Sequence, residues 1–149
     1  MSTIERIKQL LTIARQNALE GMTVVWQFDY EELAKIYNGI GPDRFPDWLR
    51  KIVTEANGLF EPAALIHDVE YHIGGTREDF TAANDRFRRN CDLLIRKEYP
   101  WWSPMRYMLL NRVRRWANYC EMFGADNYHF KNGTGEGTCE FLNGKQPNG

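Results

Sequence analysis

Cysteine is scarce: Cys91, Cys120 and Cys139 are the only three in 149 residues, too few and too far apart for a disulfide framework or a spaced zinc site. A reduced compartment is the simplest reading. No apolar run approaches the roughly 18–20 residues that span a bilayer. Glu5, Arg6 and Lys8 also stand where a secretory signal needs an uninterrupted apolar core. The expectation is a soluble protein, cytoplasmic on synthesis and made without Sec export. Neither sign of charge dominates, because 19 Lys plus Arg meet 20 Asp plus Glu for a net charge of −1. That balance excludes a generally polycationic protein and leaves room for a local basic face. What is present is 43% hydrophobic residues, enough to exclude global disorder and to fill one ordinary core.

Periodicity then points to helices. Between Thr3 and Leu19, Ile4, Ile7, Leu11, Ala14 and Ala18 recur at steps of three and four, the stripe of an amphipathic helix that packs on the domain or on a second copy. The second copy would make a homo-oligomer through the N-terminal helix. The polar face carries Glu5, Lys8, Arg15 and Glu20, of mixed sign, which argues against an anionic-lipid anchor. Met22 to Phe28 is short and β-prone. Asp29 with Glu32 caps a helix through Ile36, the stretch from Asn38 to Asp43 is loop, and a short helix follows from Pro46 to Ala56. Glu61 to Ile73 reads as a helix with Pro62 in its first turn, broken by Gly74-Gly75. Thr76 and Asp79 cap the next helix, which runs to about Tyr99. Ser103-Pro104 opens the last, to Phe123, with Met105, Met108, Leu109, Val113, Trp116, Cys120 and Phe123 on its buried side. The fold class expected is mainly α. Residues 1–130 form a single helical domain with a central antiparallel helix pair, and the glycine-rich residues 131–149 form a mobile tail.

Two motifs carry chemistry: Tyr37-x-Gly39-x-Gly41 before Pro42, and His67-Asp68-x-x-Tyr71. Residues four apart on a helix share a face, so His67 and Tyr71 point together while Asp68 turns to a flank. The helix after Gly74-Gly75 folds back, and counting along it places Asp85 opposite His67 and Tyr71. A carboxylate that accepts one imidazole N–H leaves the other ring nitrogen free as a general base. Backbone carbonyls turned inward by a glycine-bearing loop, with a nearby carboxylate, suit Ca²⁺. The plainer reading of each motif is a surface acid beside a satisfied histidine, and a tight turn before Pro42. His72 lies about 140° from His67 around the helix and is read as structural. A histidine-aspartate phosphohydrolase would need a further upstream histidine, and only His72 and His129 remain.

These motifs, with the stretch A-A-L-I-H-D-V-E-Y, Gly74-Gly75 and A-N-D-R-F, resemble the phospholipase A2 family. The likeness is to its compact members, the parvovirus capsid lipase domain and small phage and bacterial proteins. It covers residues 37–91. The resemblance implies Ca²⁺ bound by the carbonyls of Tyr37, Gly39 and Gly41 and the carboxylate of Asp68. It makes His67 the base that activates water, Asp85 its orienting partner, Tyr71 a bracing hydroxyl and the Gly39 N–H an oxyanion donor. The activity implied is hydrolysis of a phospholipid acyl ester. Against the family pattern, the disulfides of the secreted members are missing, Pro42 follows Gly41, and 25 residues separate Gly41 from His67. The rival is a non-enzymatic phage structural or host-interaction protein, virion-associated, that keeps the scaffold.

Between Arg86 and Arg115 nine Lys or Arg face only Asp92 and Glu98, a local excess that attracts phospholipid head groups or nucleic acid, or is a solvated face balanced elsewhere. No nucleic-acid-binding motif accompanies it, so that partner ranks last. Trp101 and Trp102 sit at the helix junction inside this stretch. Core plugs are the favoured reading, an anionic membrane interface the other.

Overall fold

The computed structural model describes residues 1–38 and 58–131. Helix α1 spans Thr3–Gln16. The Glu5 N–H donates to Ser2 Oγ and the Ser2 N–H to Glu5 Oε2, at 3.2 and 2.7 Å, so two donors that a helix start leaves open are satisfied. Ile7, Leu10, Leu11 and Ala14 are buried, and the stripe packs within the chain on the third and fourth helices. The helix stops short of Leu19, because Ala18 takes a positive φ of 52° and turns the chain.

Met22–Val25 is a helical turn, α2, and the β-prone reading of this segment is corrected. Gly21 enters it with φ +95°, and the Trp26 N–H returns to the Met22 carbonyl at 3.2 Å. Among the described residues there is no strand for it to pair with. Helix α3, Tyr30–Asn38, starts at the expected cap: Glu32 N–H donates to Asp29 Oδ1 and Asp29 N–H to Glu32 Oε2, both at 2.8 Å. It runs two residues past Ile36, so Tyr37 belongs to its last turn rather than to a loop. The loop around Gly39 and Gly41 and the helix expected at Pro46 to Ala56 lie outside the described residues, as do residues 132–149 of the expected tail.

Helix α4 occupies Glu61–Ile73 as expected, with Pro62 in the first turn, where a missing N–H costs nothing. Helix α5, Arg77–Glu98, opens on the Thr76/Asp79 capping box. Helix α6, Pro104–Phe123, passes into a 3-10 turn at Gly124–Asn127. Contacts between α4 and α5 step away from the Gly74-Gly75 turn in order, Tyr71 with Phe80 and then His67 with Asn84 and Phe87. One core cluster joins Ile7 and Leu11 of α1, Leu33 of α3, Leu65 of α4, Phe87 and Ile95 of α5, and Val113 and Trp116 of α6. The described helices therefore form one domain.

On α6, Leu109, Val113, Trp116 and Cys120 are buried as expected, but Met105, Met108 and Phe123 are exposed. Trp101 and Trp102 are 73% and 67% exposed, which corrects the core-plug reading. The α5–α6 corner lies at the edge of the domain, and no described element covers it.

A second, smaller cluster was not legible in the sequence. Tyr128 packs edge-on against Tyr71 and Phe80, and Phe130 packs tilted against Phe80 and edge-on against Tyr128. The strap that carries them is pinned to the α4–α5 turn. His129 N–H donates to the Tyr71 carbonyl, Gly75 N–H to the His129 carbonyl and Lys131 N–H to the Gly75 carbonyl. A Cβ on Gly74 would sit 1.6 Å from the His129 carbonyl oxygen, so the first glycine of the pair permits this close approach as well as the turn.

Candidate functional site

Helix α4 is buried nearly all round, with Ala63, Leu65, Ile66, Val69 and Tyr71 in the core beside His67 and Asp68. Two polar neighbours, pointing about 100° apart, are thus both taken out of water but toward different surroundings. His67 faces α5. Its ring lies 4.2 Å from the Tyr71 ring and 4.8 Å from the Phe87 ring. The residue is 7% exposed, and this apolar enclosure pushes its pKa down to about 4 against the weaker upward pull of its hydrogen bond to Asn84. At neutral pH the imidazole is uncharged.

The partner across the helix pair is Asn84. His67 Nε2 lies 2.9 Å from Asn84 Oδ1, and the Tyr71 hydroxyl donates to the same oxygen at 2.7 Å. Since Asn84 Oδ1 only accepts, Nε2 carries the ring proton and Nδ1 keeps its lone pair. Among the described residues nothing donates to Nδ1. The position assigned to Asp85 is therefore corrected: Asn84 sits on the buried stripe of Phe80, Ala83, Phe87 and Cys91, whereas Asp85, one residue further round, is exposed. The network continues beyond Asn84. Its Nδ2 donates to Glu121 Oε2 and the Thr81 hydroxyl donates to Glu121 Oε1, each at 2.7 Å. At the far edge, a Cβ on Gly124 would lie 2.5 Å from the Tyr71 hydroxyl oxygen, so this glycine makes room for the phenol to reach Asn84.

Asp68 turns the other way. Its charge acts on the Tyr37 phenol of α3 and on the Cys120 thiol of α6. Burial raises its own pKa well above the usual carboxylate range. Among the described residues no hydrogen bond reaches the carboxylate, so none of them favours its charged form against burial. Tyr37 is fixed by its hydroxyl, which donates to Glu61 Oε2 at 2.9 Å, while Glu61 is held by Arg6 at 2.8 Å. Burial is the main cause that raises the Tyr37 pKa, followed by the charges of Glu61 and Asp68. The Tyr37 carbonyl belongs to the last turn of α3, among the groups that a helix leaves without an internal partner. A buried carboxylate and a carbonyl at a helix end are hard oxygen donors of the kind that fit Ca²⁺. Gly39 and Gly41, the other expected ligands, lie outside the described residues, and so does the expected Gly39 donor. Among the described residues no three His, Cys, Asp or Glu side chains converge to hold a metal.

The structure thus brings His67 and Tyr71 together, sets Asp68 beside them on a different face, and leaves Asp85 outside. Asn84, Thr81 and Glu121 were missed. The available signal for Asn84 was a polar residue on an otherwise apolar stripe of α5. The basic stretch is partly neutralised by acids from elsewhere. Arg86 pairs with Glu70 and Arg89 with Glu20 at 2.9 Å, while Arg88 meets Asp92 at 3.3 Å. Among the described residues no helix is long and apolar enough to cross a membrane. Set against family models, curated proteins and solved structures, the chain matches none.

Proposed function

We propose that this chain is a calcium-dependent phospholipase A2-like esterase that hydrolyses a phospholipid acyl ester. In this reading α4 and α5 are the central antiparallel helix pair of that fold. The observation that carries the reading is the bonding of His67, whose Nε2–H is anchored on Asn84 while Nδ1 is left unprotonated and unpartnered among the described residues. A neutral, oriented imidazole is the form a general base requires. Water gives its proton to His67 Nδ1 as its oxygen bonds to the ester carbon. The imidazolium then returns the proton to the departing alkoxide as the ester C–O bond breaks. Tyr71 keeps Asn84 Oδ1 in place through both steps. Ca²⁺, held by Asp68 and the carbonyls of Tyr37, Gly39 and Gly41, would supply positive charge opposite the ester oxygen on which negative charge develops.

An anionic phospholipid surface is the partner we assign. Support comes from the α5–α6 corner, where exposed Trp101, Trp102, Met105 and Tyr107 lie beside exposed Arg96 and Lys97. Aromatics flanked by cations fit the headgroup layer of a bilayer.

One observation favours a second reading, a non-enzymatic phage structural or host-interaction protein on the same scaffold. The partner of His67 is a neutral amide, which stabilises a developing imidazolium less than a carboxylate does. A calcium titration with fluorescent phospholipid vesicles, run beside His67→Ala, separates the two. Hydrolysis that needs Ca²⁺ and disappears in His67→Ala supports the esterase. Calcium binding without hydrolysis from pH 7 to 9 leaves the second reading.

A further inference from the structure

We infer that Glu121 is a positioning residue for His67, acting through Asn84: its carboxylate fixes which way the Asn84 amide faces and thereby which ring nitrogen of His67 holds the proton. The inference rests on the reading of His67 as the base.

A carboxamide is nearly symmetric in shape but not in chemistry, since one end accepts and the other donates. Turned over, Asn84 would present Nδ2–H to His67 Nε2 and to the Tyr71 oxygen. The ring proton would then move to Nδ1, and the lone pair available to a substrate water would be gone. His67 and Tyr71 cannot forbid that flip by themselves, because an imidazole and a phenol can each donate or accept. Glu121 can. An ionised carboxylate only accepts, and Glu121 Oε2 lies 2.7 Å from Asn84 Nδ2. After a flip, two oxygens would face each other there with no proton between them. The second carboxylate oxygen is held by the Thr81 hydroxyl at 2.7 Å. Thr81 and Asn84 are three apart on α5, on one face, so Glu121 reaches across from α6 and is gripped at both oxygens.

A single carboxylate at position 84 would supply acceptor and negative charge together. Here the two are divided between Asn84, which touches the ring, and Glu121, one hydrogen bond away. The charge at that remove polarises the amide and makes Oδ1 a better acceptor.

The test uses the full chain with ¹⁵N-labelled histidine at pH 7.5, reading the His67 tautomer from long-range ¹H–¹⁵N couplings. Wild type should show the Nε2–H form alone. Glu121→Ala should populate the Nδ1–H form, and Glu121→Gln, whose oxygen still accepts from Asn84, should keep Nε2–H. In vesicle hydrolysis Glu121→Ala should lower kcat about 10–100-fold with KM little changed, the usual cost of losing an outer partner. An exchange gives an independent arm. Asn84→Asp sets two carboxylates against each other and should lower Tm, whereas Asn84→Asp combined with Glu121→Gln should restore both Tm and the Nε2–H form. A folded Glu121→Ala that keeps the wild-type tautomer overturns the inference. So does an exchange variant no more stable than Asn84→Asp alone, which decides the matter if Glu121→Ala does not fold. If the tautomer responds but wild type hydrolyses nothing, the positioning role stands and the esterase reading falls. If hydrolysis persists with an unresponsive tautomer, the reverse holds.

Discussion

Acidification should expose the cost of keeping His67 uncharged in the core. An ordinary histidine has a pKa of 6.5, and enclosure by Tyr71 and Phe87 pushes that of His67 to about 4. Between those values the unfolded chain binds a proton that the folded chain refuses, so stability rises with pH across the window. The stabilising difference is fully present above pH 6.5 and is lost as pH falls through 4. About 2.5 units at 1.36 kcal/mol each make roughly 3 kcal/mol. Two buried acids pull the other way. Burial raises Asp68, and it raises Glu70 to about 7 against the opposing charge of Arg86, so each binds a proton more readily folded than unfolded. Total stability therefore mixes opposite slopes, and the histidine contribution must be isolated by difference. Urea unfolding of wild type and His67→Gln at pH 8, 6.5, 5 and 4 does so, because hydrogen bonds lost by the variant cancel to first order across pH. Wild type should lose about 3 kcal/mol relative to the variant between pH 8 and pH 4. A difference flat to within about 0.5 kcal/mol would show that His67 is charged or solvated in the folded state, and would refute the account of its environment.

Three further outcomes are expected. Calorimetry should find one Ca²⁺ site that Asp68→Asn largely abolishes, with affinity rising as pH rises because the burial-raised carboxyl must first lose its proton; unchanged affinity in the variant would remove Asp68 from the site. Gly124→Ala should drive the Tyr71 hydroxyl off Asn84 and cost about 1–3 kcal/mol in chemical unfolding, and a loss no larger than that of an exposed surface substitution would show that the phenol has room to spare. Trp101→Ala with Trp102→Ala should leave Tm within a degree or two, since both rings are exposed, yet weaken binding to anionic vesicles. Wild-type binding should fall with salt and shift tryptophan fluorescence to the blue, and undiminished binding by the double variant would move the lipid surface elsewhere.

The helices from α4 to α6 were legible because their boundaries are written locally: Pro62 at one start, Thr76 and Asp79 at the next, Ser103-Pro104 at the last, and Gly74-Gly75 between. The pairing of His67 with Tyr71 followed from a four-residue step. The partner across the turn did not, because neighbouring residues on α5 point about 100° apart. Counting from the turn fixes the height along α5 but not the direction around it, and it settled on Asp85, while the apolar stripe selects Asn84. Glu121 lies 37 residues beyond Asn84, and no local pattern announces it. The tryptophans failed for a related reason. Whether a ring at a helix corner is covered depends on what else reaches that corner, which composition does not encode. Gly39 and Gly41 remain expectations from the motif, outside the described residues.

The strap at Tyr128–Lys131 also has a consequence for the order in which the molecule assembles during synthesis. His67, Tyr71 and Asn84 leave the ribosome long before residue 130, and α4 and α5 can pair as soon as both are free. Until the strap arrives, Tyr71 and Phe80 lack the aromatic neighbours that close their cluster, and the Tyr71 carbonyl lacks the His129 N–H. Glu121 and Gly124 precede the strap by only a few residues, so the anchor of Asn84 and the aromatic cover of Tyr71 are delivered almost together. A nascent chain halted within α6 would hold the histidine and its amide without the groups that orient them. The fold thus leaves the finishing of its polar network to the last-made of the described segments.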